Sequence, residues 1–102
     1  SAATEKIANV AAPFKAVFGE GKAEKLASAL VNRFGENTAI QTMNRLAQTP
    51  VGQLAASMLM EGGEEVVEDV FQPVLQRATY DPDAQFDLSG ALYDAAIGAA
   101  LG

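Results

Sequence analysis

Residues 61–77 read EGGEEVVEDVFQPVLQR. Five carboxylates, those of Glu61, Glu64, Glu65, Glu68 and Asp69, fall within nine positions and lead directly into an apolar pattern. Val66, Val67, Val70, Phe71, Val74 and Leu75 recur at the i, i+1, i+4, i+5, i+8, i+9 spacing of one helix face. The acidic residues fall mostly on the opposite side. Their place in the first turns suits the positive end of the helix dipole, which offsets part of their mutual repulsion. The segment is therefore predicted to be an amphipathic helix, with Val67, Val70, Phe71, Val74 and Leu75 at the centre of a core. Gly62-Gly63 is predicted to end or bend the helix before it. Pro73, inside the stripe, predicts a kink near Asp69 or Val70.

Upstream, Ile7, Val10, Ala11, Phe14, Val17 and Phe18 form a second amphipathic stripe. Pro13 interrupts it and predicts either a kink or a second short helix opened by the proline. Gly19-Glu20-Gly21 is predicted to break the helix. A helix is then predicted from Lys22 to Phe34, with Ala23, Leu26, Ala27, Leu30, Val31 and Phe34 inward and Gly35 as a left-handed residue past its end. Asn37 or Thr38 is placed to cap the next helix, which carries Ile40, Met43, Leu46 and Ala47. Thr49-Pro50 combines an N-cap with proline at the first helical position, a strong start signal. The helix after it presents Val51, Leu54, Ala55, Met58 and Leu59.

Downstream, residues 80–89 read YDPDAQFDLS, a turn-rich loop in which Asp87 or Ser89 is placed to cap a last helix. That helix carries Leu92, Tyr93, Ala96, Ile97, Ala100 and Leu101. No alternating β-branched run bounded by hairpin turns occurs, and no fixed repeat period. The expected fold is all-α: one domain over residues 1–102, a compact bundle of five to six short helices with proline kinks near Pro13 and Pro73. A chain of this length buries about two-thirds of its unfolded surface, enough for one core without covalent staples. The chain begins at Ser1 and ends at Gly102 inside an Ala-rich periodic run, so it is expected to be a piece of a larger protein.

Composition narrows the chemistry. The chain contains no cysteine and no histidine. Disulfides and thiolate metal sites are excluded, and with histidine go the commonest general base and the commonest metal ligand. The net charge is −6, unevenly spread: residues 1–50 hold six Lys/Arg and four Asp/Glu, whereas residues 51–102 hold Arg77 alone against nine Asp/Glu. An acidic half argues against nucleic acid, whose phosphates need a basic face. It suits a basic partner, which could be the first half of another copy. No stretch is long and apolar enough to span a membrane.

Three constellations invite chemical readings. The acidic cluster at 61–69 could bind a divalent cation through oxygen ligands, but carboxylate di-metal helices also draw on Glu-x-x-His pairs, and there is no histidine. A solvated helix start is the simpler reading. Asp81, Asp83, Gln85, Asp87 and Ser89 alternate like a calcium loop, yet Phe86 occupies the position needing glycine and Leu92 the position needing a bidentate glutamate. Turn and cap are the simpler roles. Ser28, Ser57 and Tyr93 are nominal nucleophiles, but without histidine a serine needs a lysine, and no Ser-x-x-Lys spacing exists. No catalytic residue, metal ligand or cofactor site is therefore expected. Gly98-x-x-x-Gly102, with Ala95, Ala96, Ala99 and Ala100, is a small-residue face suited to close packing or self-association. Candidate partner-binding residues are Glu61, Glu64, Glu65, Glu68, Ala96 and Ala99.

The segment from Glu61 to Gly102 resembles a region of large multi-region proteins of phages and bacterial mobile elements, including phage minor head and polyvalent proteins. The resemblance is carried by the EGGEE run, the apolar helix after it, the aromatic-Asp-Pro-Asp-Ala-x-Phe-Asp turn and the Gly/Ala-rich helix. It covers about two-fifths of the chain and rests on structural rather than catalytic signals. It implies a connecting or packaging-associated helical region, in a bacterial cytoplasm or phage particle, with no active site to carry over. The expected role is a non-enzymatic structural or protein-interaction domain of such a protein, its partner another protein or other regions of the parent. The alternative is a small acidic module for a basic protein or a cation. The apolar and small residues around the last helix further suggest a homodimer with that helix at or near its interface.

Overall fold

A computed structural model describes residues 2–102, with side chains described for residues 5–14, 19 and 21–102. The described residues form six helices and no strand: α1 (Ala2–Phe18), α2 (Glu20–Phe34), α3 (Glu36–Ala47), α4 (Pro50–Ala78), α5 (Pro82–Phe86) and α6 (Leu88–Leu101). The chain is the expected all-α bundle. Its radius of gyration, 12.4 Å, is close to the roughly 13 Å of a folded domain this long.

The corners are made by single glycines. Gly19, Gly35 and Gly63 have φ of 86°, 90° and 75° with extended ψ, a region open in practice to glycine alone. One such residue turns the chain sharply enough that the next helix begins at once. α2 therefore starts at Glu20, not Lys22, and Gly21 lies inside it. Gly35 is not in the left-handed helical region expected of it. Its N–H donates to the Val31 carbonyl at 2.9 Å and its carbonyl accepts from Ala39 N at 3.0 Å, so it closes α2 and opens α3 together, and neither Asn37 nor Thr38 is needed as a cap. The third corner divides α4 into two helical arms on either side of Gly63.

Pro13 and Pro73, where kinks were expected, are carried within helices. α1 is one helix through Pro13, so no second helix opens there, and the sharp break in α4 lies at Gly63, upstream of Pro73. Each proline frees the carbonyl four residues earlier. Those residues, Asn9 and Asp69, are exposed, so water can satisfy what the helix leaves open.

Caps set the remaining starts. Thr49 Oγ1 accepts from Gly52 N at 2.9 Å, fixing the start of α4 with Pro50 at its first position. The same oxygen lies 3.3 Å from the Tyr93 hydroxyl, which ties that start to α6. Asp87 caps α6, accepting from Gly90 N at 3.1 Å. The stretch expected to be loop contains α5, a helix of five residues capped by Asp81, which accepts from Asp83 N at 3.0 Å. Thr49→Ala removes a cap and a tertiary tie at once. It should cost about 1–2 kcal/mol, read as a lower urea midpoint with an unchanged slope.

The core collects the inward faces: Val10, Ala11 and Phe14 from α1; Ala23, Leu26, Ala27 and Leu30 from α2; Ala39, Met43 and Leu46 from α3; Ala55, Ala56, Leu59, Val67, Phe71 and Val74 from α4; Leu92 and Ala96 from α6. Val67, Phe71 and Val74 lie in it as expected, while Val70 is half-buried against it and Leu75 is half-buried. Phe34 meets Phe71 edge-on, ring centroids 6.1 Å apart at 89°, a favoured aromatic geometry. Val51 and Leu54, expected inside, are exposed. The first arm turns Gly52, Ala55, Ala56 and Leu59 inward instead, and these mostly small residues let neighbouring helices approach closely. The side chains of Val17 and Phe18 lie outside the described residues.

Candidate functional site

The second arm of α4 begins at the Gly63 corner, which places Glu64 and Glu65 in its first turn, where the helix dipole favours them. Glu61, Glu64, Glu65, Glu68 and Asp69 are all exposed, while Val67, Phe71 and Val74 of the same arm are buried. The arm thus holds its apolar face in the core and its carboxylates in water, as its periodicity predicts. Glu68 Oε2 lies 3.9 Å from Arg33 Nη2, and Asp87 Oδ1 lies 3.9 Å from Arg45 Nη2. Both pairs join the basic first half of the chain to the acidic second half, so part of the charge asymmetry is matched within one molecule. Surface pairs of this kind, one with Arg33 half-buried and the other exposed, contribute little stability, about 0–1 kcal/mol each.

A cleft of about 550 Å³ opens on the inside of the elbow, between α2 and the two arms of α4. Its apolar part comes from Leu26, Ala29, Leu59, Met60 and Val67, and its polar part from Lys25, Ser28, Asn32, Arg33 and Glu64. A smaller hollow of about 330 Å³, lined by Ile7, Gly21, Glu24, Lys25 and Ser28, adjoins it along α2. The sequence reading passed over Lys25, Asn32 and Arg33. Their signal was present: residues 25, 28, 29, 32 and 33 share one helix face beside the apolar stripe of α2. Lys25 and Ser28 both line the cleft, and no hydrogen bond joins them among the described residues.

The other candidates are resolved by their partners. Asp81 and Asp87 cap α5 and α6 through backbone N–H groups, and Asp87 also accepts from Ser89 Oγ at 3.4 Å. Among the described residues no group of three acidic side chains is placed to hold a metal ion. Ser57 is half-buried on α4, and Tyr93 is half-buried with its hydroxyl beside Thr49.

Two of the candidate partner-binding residues need separating. Ala99 is exposed, but Ala96 is fully buried in the chain's own core. Ala96 is thus covered by the chain's own helices, whereas Ala99 is open. α6 packs on α4 and α3, and a residue without a large side chain is what lets it approach them. The composition of α6 is apolar nearly all round, so periodicity did not separate its inner face from its outer one.

Among the described residues no helix is long and apolar enough to cross a membrane. No family model, curated protein or solved structure matches the chain.

Proposed function

We propose that this chain is a non-enzymatic helical domain of a larger phage or mobile-element protein, in which it serves a structural or protein-interaction role. The observation that carries the reading is the second arm of α4. Its core face is satisfied internally; Glu64, Glu65, Glu68 and Asp69 stand exposed on it, with Glu61 exposed just before the elbow, Glu64 lines the concave cleft, and Glu68 alone of the five lies within ion-pair distance of a cation among the described residues. Such a face favours a basic protein surface, on a partner or on another region of the parent, by complementarity and steering. The absence of histidine and cysteine supports a role other than proton transfer or thiol chemistry. The same exposure favours a basic protein over a cation as the ligand of an acidic module, because the carboxylates are spread along the arm rather than converged on one point.

Titration with a Lys/Arg-rich helical peptide, followed by amide chemical shifts, tests this. Shifts should concentrate on residues 61–69 and shrink as salt rises. Replacing Glu61, Glu64, Glu65 and Glu68 together by glutamine should weaken binding roughly tenfold without loss of helicity. No response at millimolar peptide, or shifts scattered over the molecule, would count against the reading. Millimolar calcium should leave the melting temperature unchanged; a saturable rise would favour the cation alternative.

A further inference from the structure

We propose that the elbow of α4 is the hinge of a domain swap, in which a second copy of this chain supplies the segment from Glu64 onward to the helices before Gly62 of the first. Two adjacent glycines permit the elbow for different physical reasons. Gly63 adopts φ 75°, ψ −165°, a conformation L side chains avoid, and a Cβ there would meet nothing within 4 Å, so substitution is penalised by the backbone alone. Gly62 is penalised by space: a Cβ there would strike Val66 Cγ2 and lie 2.6 Å from Val66 Cβ. In a continuous helix the same two positions are ordinary i, i+4 neighbours, about 5–6 Å apart at Cβ. Side chains at either position therefore oppose the bend and accept the straight helix.

One molecule has no way to straighten and stay covered. Leu59 before the elbow and Val67 and Phe71 after it belong to the same core. A continuous α4 of 29 residues would be about 43 Å long, beyond the largest extent of the molecule, 35 Å. Two straightened copies exchange what each lacks. The Phe34–Phe71 ring contact, the Arg33–Glu68 pair and the Thr49–Tyr93 hydroxyl contact all cross the hinge, and all can re-form between copies. The swap thus keeps these contacts and relieves the bend at two hinges, which is what makes such exchange a low-cost route to a dimer.

The test is the Gly62→Ala, Gly63→Ala double variant, with the parent beside it. Strain relief at two hinges should raise the dimer association constant at least about a hundredfold, read by light scattering across concentrations. The chain has no cysteine, so Arg33→Cys with Glu68→Cys supplies a unique pair for a short bismaleimide. Cross-linking should give a single-chain product in the dilute parent and a two-chain product in the alanine variant. A folded monomeric variant, or a dimer whose cross-link stays within one chain, overturns the proposal. If the variant fails to fold, the parent refolded at millimolar concentration decides: a two-chain cross-link supports the swap, and only single-chain product overturns it.

Discussion

Phe71→Ala is expected to remove about 3–5 kcal/mol of stability, the loss typical of truncating a fully buried aromatic ring. The ring is fully buried and packs edge-on against Phe34, so the substitution forfeits burial, an aromatic contact and the filling of space between α2 and the second arm of α4. A domain of this size holds about 5–15 kcal/mol in all, and the melting temperature should fall by roughly 15–30 °C. Leu54→Ala, on the exposed side of the first arm, should change stability by less than about 0.5 kcal/mol. Thermal melts followed by circular dichroism check both. A Phe71→Ala protein melting within a couple of degrees of the parent would remove this arm from the centre of the fold.

Ala96→Glu is expected to unfold the domain or nearly so, while Ala99→Glu is tolerated. Ala96 is fully buried where α6 meets the bundle, and a carboxylate there would be taken out of water with no partner provided for it, at several kcal/mol, besides overfilling a packed site. Ala99, one turn on, is exposed, and a charge there stays solvated within about 0.5 kcal/mol of neutral. The pair separates the inner face of α6 from its outer face, which composition left undivided. Equal tolerance of both variants would mean that α6 is not seated as described.

The helices themselves were legible because most carry a clear period. The stripes of α1, α2, α3 and the second arm of α4 predicted the buried Val10, Leu26, Leu30, Met43, Leu46, Val67, Phe71 and Val74 directly. The Thr49 cap was legible because a threonine followed by proline has one simple use, and the α6 cap was narrowed to Asp87 or Ser89, of which Asp87 serves. Three things were not. Helix starts after Gly19 and Gly35 were misplaced because one positive-φ glycine does the work of a longer turn. α5 was missed because five residues are too few to show a period. The exposure of Val51 and Leu54 was missed because the first arm buries its small residues, whose contribution is closeness rather than hydrophobic area. The acidic face was visible in sequence as a run of carboxylates. The cleft beside it was not, because it is formed by α2 meeting an elbow that only the backbone angle at Gly63 creates.

The second arm of α4 closes the core against α2 with its carboxylates turned outward, while the first arm is tied to α6. Nuclear Overhauser spectroscopy of the dilute parent tests this arrangement most directly. Cross-peaks should join the Phe34 and Phe71 rings and the Tyr93 ring with the Thr49 methyl group, whose anchoring contacts are 6.1 Å between ring centroids and 3.3 Å between hydroxyl oxygens. A chain that is helical by circular dichroism yet shows neither set of cross-peaks would contradict the account.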